Sequence, residues 1–336
     1  MSTRATRTCE TARTSVASSS SDAAAPDPVD PTEPAFGPEL LSRLTTEVVG
    51  RRRELESVVA ALAAGRHLLL EGPPGTGKST VLRAIAAEAR IGFEFVEGNA
   101  ELTPARLVGT FDPAAVLSEG YVPDVFVDGP LISALRDGSL LYVEEINRVP
   151  EETLNVLITV MSEGELHVPR LGRVCAAPGF RLVAAMNPFD AVGTARIASA
   201  VYDRCCRLAM DYQSGDEERE IVASALPAGS PVADAQLAAT VAMVRDSREH
   251  PDVRTGSSVR GAIDHALLST ELATLRGSTA DDATVTLDAA LLALSGRLRI
   301  REGCNRSAEE IVEELWQLHF APAEAGNGPP EDPGKA

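Results

Sequence analysis

Aromatic side chains are scarce in this chain. They make up 4% of 336 residues, with one tryptophan, so the cores that a 44% hydrophobic content can supply are mainly aliphatic. Long apolar runs are missing as well. No stretch approaches the ~20 residues of a membrane-spanning helix, so no membrane span is expected and the chain reads as soluble. The five cysteines (Cys9, Cys175, Cys205, Cys206 and Cys304) show neither metal-ligand spacing nor a paired framework. That argues against a zinc site or a disulfide scaffold and fits reduced thiols in the cytoplasm. His67, His167, His250, His265 and His319 are dispersed, without a zinc or catalytic-triad pattern. Basic excess is also absent: 31 Lys and Arg stand against 49 Asp and Glu, a formal net charge of −18. Non-specific nucleic-acid binding depends on clustered cations that release counterions, so this balance disfavours nucleic acid and favours a protein partner.

What the chain does have is a complete phosphate-binding loop. Gly72, Pro73, Pro74, Gly75, Thr76, Gly77, Lys78 and Ser79 follow the apolar run Leu68, Leu69, Leu70. They precede a helical pattern with Leu82, Ile85, Ala86 and Ala89 on one face. Glycines let the main chain curl so that its N–H groups face phosphate oxygens, and the helix N-terminus adds partial positive charge. Lys78 is placed to reach the β- and γ-phosphates, Thr80 follows in the first helical turn, and the Ser79 hydroxyl is a ligand for Mg²⁺. ATP with Mg²⁺ is the expected cofactor pair.

The pattern around the loop sets the fold class. Residues 1–38 are rich in Ser, Ala, Thr and Pro and read as a disordered arm, and 321–336 read as a flexible tail. From 39 to 213 strands and helices alternate, with strands expected at His67–Glu71, Phe93–Glu97, Leu140–Glu144, Phe180–Met186 and Arg207–Asp211. Continuous apolar strands of this kind belong to a parallel sheet covered on both faces, here a three-layer α/β nucleotide-binding domain of P-loop NTPase type with five strands. From 214 to 320 only helices are expected, forming a small all-α lid at Asp216–Leu226, Ala233–Arg245, Ser258–Glu271, Leu287–Leu298 and Ser307–Leu318. Ser307 and Glu310 fit a capping box. The acids between Asp216 and Glu220 read as a solvated first helical turn. Cys205 and Cys206 read as buried thiols, and Trp316 as lid core beside Ile311 and Leu315.

Leu140-Leu-Tyr-Val-Glu144-Glu145 delivers two carboxylates at the C-terminal end of a strand, where ligands meet an open parallel sheet. Strand neighbours point to opposite faces, so Glu144 is assigned to the metal side and Glu145 to the base that polarises the hydrolytic water.

Together these segments resemble an AAA+ ATPase, and within that superfamily the MoxR-type group near the magnesium chelatase ATPase subunit. The resemblance covers residues 40–320. Val49 and Gly50, with Arg51, resemble the segment that contacts adenine. Glu144-Glu145-Ile-Asn-Arg-Val-Pro150 resembles the Asp-Glu-Ile-Asn-Arg stretch, and Ala184-Ala-Met-Asn187-Pro188 resembles the sensor 1 strand. Val201-Tyr-Asp-Arg204 resembles the arginine-finger element, with Arg196 and Arg207 as rivals. Ser257-Ser-Val-Arg260 resembles sensor 2. The resemblance implies that Asn187 senses the γ-phosphate, that Arg204 acts on a neighbouring subunit, and that Arg260 reaches the nucleotide from the lid. It also implies a homo-hexameric ring that remodels a protein client, and a partner with a von Willebrand factor A domain. Two positions depart from the pattern: Glu144 stands where Asp is usual, and Cys205 where Phe is usual. Leu117–Gly129 and Glu165–Gly179 resemble the two hairpin insertions of this clade, with Tyr121 and Phe126 as candidate gripping residues. Three alternatives stay open: a nucleic-acid-directed motor, a nucleotide-gated assembly switch with little hydrolysis, and a metal-chelatase-type ATPase subunit.

Overall fold

The computed structural model describes residues 36–188 and 199–320. The N-terminal arm through residue 35, Arg196 and the tail 321–336 lie outside the described residues. The chain divides into two compact units, described here one at a time. One gathers Arg52–Glu71 and Ser79–Ala209 with the helix Pro38–Glu47. The other gathers Val48–Arg51, Gly72–Lys78 and the chain from Met210 onward.

In the first unit, β1 (His67–Glu71), β2 (Phe93–Glu97), β3 (Leu140–Glu144), β4 (Arg181–Met186) and β5 (Cys205–Ala209) form one sheet in the order β2-β3-β4-β1-β5. Every pairing is parallel. Parallel strands cannot be joined by tight turns, so helices complete each crossover and cover the sheet. That is why the three central strands are almost wholly apolar. Leu69, Leu141, Val143, Leu182 and Ala184 are fully buried and share a core with Leu131, Ile132 and Leu157 from the covering helices. Two boundaries differ from the sequence reading. The fifth strand begins two residues earlier than expected, at Cys205, because it pairs with β1 from His67 onward. That register leaves Cys206 exposed, so of the adjacent pair Cys205 alone is partly buried, and burial pushes its pKa up to about 12. The fourth strand starts at Arg181, with Phe180 just outside it in the core.

Both insertions contain antiparallel pairs. Glu165–Val168 pairs with Gly172–Cys175, as expected. The first insertion is built differently. Its strands are Gly109–Phe111 and Phe126–Asp128, so it starts eight residues before the expected Leu117. Between them runs the helix Pro113–Glu119, capped by the Asp112 carboxylate, which accepts from the Ala114 N–H at 2.8 Å. Phe126 is not a free gripping residue. It packs edge-on against Phe111, which also meets Tyr121 edge-on, and the Arg170 guanidinium lies 3.6 Å from the Tyr121 ring centre. The exposed large apolar residues of this insertion are Leu117, Tyr121, Val122 and Val127.

The second unit carries the helices Gly215–Ala225, Asp234–Glu249, Val259–Arg276, Ala283–Leu294 and Ala308–Phe320. Leu237, Val241, Val244, Ala262, Ala266, Ala290, Ile311 and Leu315 fill its core, with Trp316 and Phe320 packed against it. The helix expected at Leu287–Leu298 runs four residues earlier, because Asp282 caps it by accepting from Thr284 and Val285 N–H groups. The region is not helical throughout: Val253–Thr255 pairs antiparallel with Arg299–Ile300. The Ser307–Glu310 capping box is present, with Ser307 N–H donating to Glu310 at 2.8 Å and Glu310 N–H to Ser307 Oγ at 3.2 Å. The acidic first turn is only partly solvated. Glu218 is 1% exposed and takes ion pairs from Arg245 and Arg248. His265 is fully buried, and that burial lowers its pKa to about 4. Its Nε2 faces the Thr286 carbonyl, so it is a neutral structural histidine.

Candidate active site

Arg51 and the loop Gly72–Lys78 lie in the second unit. Lys78 is 8% exposed, and its ammonium donates to the Gly72 carbonyl at 2.9 Å and the Pro73 carbonyl at 2.8 Å. Thr76 Oγ1 donates back to Pro73 O at 3.0 Å, closing the turn. Gly75 sits at φ +77°, and a β-carbon there would come 2.3 Å from Ser258 Oγ. Only glycine allows that conformation and that approach. Val49 and Gly50 are held nearby through Gln213, whose amide donates to the Val49 carbonyl at 2.6 Å.

Arg51 is a residue whose role the sequence reading missed. It is 4% exposed, and Nη2 donates to the carbonyls of Thr76 at 2.9 Å and Asp211 at 2.5 Å. That one nitrogen ties the phosphate loop to the segment that follows the sheet. Nothing in the sequence marks an arginine as buried, so position alone gave no signal. Replacing Arg51 by alanine leaves two carbonyls without that donor, a cost of about 1–3 kcal/mol. We expect ATP affinity to fall about tenfold while turnover at saturating ATP changes little, measured by calorimetric titration and steady-state kinetics.

The two acids lie in the first unit. Ser79, in the first turn of the helix Lys78–Glu88, donates to Glu144 Oε1 at 3.1 Å. Tyr142 lies on the same strand two residues before Glu144, is fully buried, and has its hydroxyl 3.3 Å from Ser79 Oγ. Burial pushes the Tyr142 phenol far up, so it remains a neutral hydrogen-bonding group at working pH. A hydroxyl and a carboxylate converging at hydrogen-bond distance are the hard oxygen set that Mg²⁺ prefers. Ser79 and Glu144 would hold it, and its charge would offset negative charge on the phosphates.

Glu145 corrects the strand-alternation argument. The strand ends at Glu144, and Glu145 has left-handed backbone with φ 51° and ψ 45°. The two carboxylates are therefore separated by a backbone turn, not by the pleat. Such a conformation costs on the order of 1–3 kcal/mol for a non-glycine residue. The exposed ion pair from Glu145 to Arg148, at 2.8 Å, contributes about 0–1 kcal/mol and does not offset it alone. The remainder comes from the backbone and packing. Gly98 N–H donates to Glu144 O at 2.7 Å, Arg148 N–H to Glu145 O at 2.8 Å, and Ile146 is fully buried. Gly98 also makes room for the turn, because a β-carbon there would lie 2.4 Å from Glu145 O. Its place just after β2, facing an acidic turn far along the chain, was not legible from spacing.

Asn187 directly follows β4, whose last residue, Met186, is in register with Glu71. Arg204 lies in the turn between the short helix Ser199–Tyr202 and β5. Its Nε donates to Ser162 Oγ and its Nη1 to Ala200 O at 2.9 Å. Its side chain is 32% exposed. These bonds run to Ser162 and Ala200, not to Ser79 or Glu144. Arg207, the rival, is bound to Glu71. Arg260 is exposed in the first turn of Val259–Arg276. Pro74 and Thr80 are exposed, while Thr76 is buried.

Residues 67–205 match the family model described as "AAA domain (dynein-related subfamily)". The chain is 30% identical over 239 residues to the gas vesicle ATPase GvpN2 of Halobacterium salinarum, covering 66% of this chain and 68% of that one. The chain belongs to the AAA+ ATPases. A second relative from the same organism, the gas vesicle ATPase GvpN1, is 29% identical over 306 residues, covering 86% of this chain and 84% of that protein. Among solved structures, a point mutant of Thermotoga maritima RuvB is similar with a TM-score of 0.50 at 19% identity, covering 74% of this chain and 71% of that one. That likeness establishes the fold: a five-stranded P-loop NTPase sheet with a C-terminal helical region. As a member of the AAA+ family, the protein binds and hydrolyses ATP. Among the described residues, no helix is long and apolar enough to cross a membrane.

Proposed function

We propose that the chain is a subunit of a homo-hexameric, cytoplasmic MoxR-like ring that couples ATP hydrolysis to remodelling of a protein client. In this reading Lys78 and the loop amides hold the triphosphate, and Ser79 and Glu144 hold Mg²⁺. Glu145 accepts the proton of the attacking water, Asn187 orients that water, and Arg260 answers to nucleotide from the lid. The observation that carries the ring is Arg204, which is bonded to Ser162 and Ala200, away from its own Ser79–Glu144 pair. An arginine so placed is available to a neighbouring subunit's site. Arginine fingers contribute on the order of 10³–10⁵ in turnover.

Mixed rings test this. Arg204→Ala subunits and Lys78→Ala subunits are each expected to be inactive alone. Mixed, an intact Lys78 loop can meet an intact Arg204 from the next subunit, and ATPase activity returns in part. No recovery in the mixture assigns Arg204 to a role within its own subunit.

For the client, the two relatives named as gas vesicle ATPases support a gas vesicle component. The exposed Leu117, Tyr121 and Val127 of the first insertion suit an apolar grip on it. A partner with a von Willebrand factor A domain rests on the MoxR resemblance alone. A nucleic-acid motor is disfavoured by the net charge of −18, and ATPase stimulation by DNA is the measurement that would revive it. The low-turnover switch is kept open by Glu144, one methylene longer than the usual aspartate. Steady-state ATPase assays of the assembled ring decide between switch and motor. The chelatase-type reading has no observation here that favours it over protein remodelling.

A further inference from the structure

We infer that Glu71 is a positioning residue for the arginine that its own subunit offers to the neighbour. The inference rests on the trans reading of Arg204 above. Glu71 ends β1, so the phosphate loop begins at the very next residue. Its residue exposure is 4%, and a carboxylate so buried requires partners. Oε2 accepts from Arg207 Nε at 2.6 Å and pairs with Arg207 Nη2 at 2.5 Å, while Oε1 accepts from the Tyr202 hydroxyl at 2.8 Å. Tyr202 and Arg207 flank Arg204 on either side.

An ordinary cross-strand ion pair would account for Arg207 alone. The register sets Leu69 opposite Arg207 and Ala209 opposite Glu71, so Arg207 is a diagonal neighbour of Glu71 on the adjacent strand. It does not account for Tyr202, which comes from the helix before the turn, outside the sheet. One buried carboxylate therefore grips both ends of the Asp203–Arg204 turn. The Arg207 side chain is 57% exposed, so the pair's charge attraction is partly screened. Well-packed apolar residues would hold two strands together at least as well as a buried ion pair. What the carboxylate adds is a fixed distance from the root of the phosphate loop to the arginine turn.

Glu71→Gln replaces one oxygen by an NH₂ group, so either Tyr202 or Arg207 loses its acceptor. With Arg204 misplaced by an ångström or so, turnover should fall about 10–100-fold while ATP affinity changes less than about twofold. Mixed rings then locate the defect. Glu71→Gln with Lys78→Ala should recover activity, since the latter carries a well-placed arginine. Glu71→Gln with Arg204→Ala should not, because both are poor donors. Recovery only with Arg204→Ala places the defect in the subunit's own loop and overturns the inference, as does wild-type turnover in Glu71→Gln. The Arg204→Ala and Lys78→Ala mixture is the control. Recovery there without recovery for Glu71→Gln plus Lys78→Ala sinks the Glu71 role alone. No recovery there sinks the trans reading and this role with it. If Glu71→Gln does not fold, Tyr202→Phe, which leaves the ion pair intact, is read in the same mixtures. Recovery with Lys78→Ala then supports the tether, and wild-type turnover of Tyr202→Phe refutes it.

Discussion

Alanine at position 78 should leave a folded protein that no longer holds ATP. The Lys78 ammonium is 8% exposed and anchored by the Gly72 and Pro73 carbonyls, so it sits at the mouth of the loop with little freedom to search. Charge-assisted hydrogen bonds to phosphate oxygens are worth about 1.5–3 kcal/mol each, more than neutral ones. Loss of two such bonds corresponds to a fall of at least about 100-fold in affinity. The sheet should survive, because its core is built from buried aliphatic residues such as Leu69, Leu141, Val143 and Leu182. Fluorescent-nucleotide titration with circular dichroism measures both. An unchanged ATP affinity in folded Lys78→Ala would refute the assignment of the phosphate loop.

The second large effect is expected at Glu145. Glutamine keeps the length and can still accept from Arg148, so the left-handed turn supported by Gly98 and Ile146 should persist. What is lost is the basic oxygen. General-base removal costs about 10²–10⁴ in turnover, and binding should be unaffected because Ser79 and Glu144 retain their 3.1 Å pairing. Glu145→Gln should therefore accumulate in an ATP-bound assembly. Affinity capture of that form with ATP then reports client, partner and ring size together. Normal turnover in Glu145→Gln would move the base elsewhere, with Glu144 the first residue to test.

The two acids show how far a sequence reaches. The placement of Lys78 and Ser79 at a helix start and of Glu144 at a strand end was legible because glycines and apolar runs mark those boundaries. The orientation of Glu145 was not. Alternation along a strand assumes that the strand continues, whereas here it stops one residue short and the chain turns left-handed. The residues that hold the turn, Gly98 and Ile146, belong to other parts of the pattern and carry no label of their own. The buried partners of Arg51 and Glu71 were not legible for a related reason. A charged residue beside a helix or strand reads as solvent-exposed by default, and only long-range packing shows that it is buried and shared between segments. The first insertion was misread because its two short strands are separated by a helix whose cap, Asp112, looks like loop sequence.

The sequence by itself determined the local grammar: a phosphate loop between an apolar strand and a helix, paired acids after another, and helices in the C-terminal region. Those follow from periodicity, glycine placement and capping chemistry, which act over a few residues. Tertiary structure alone decided the strand order, the boundaries of β5, the backbone at Glu145, and the buried partners of Arg51, Glu71 and Glu218. Each of those is set by contacts between segments far apart in the chain, where the cost of burying a charge or an unpaired carbonyl outweighs local preference.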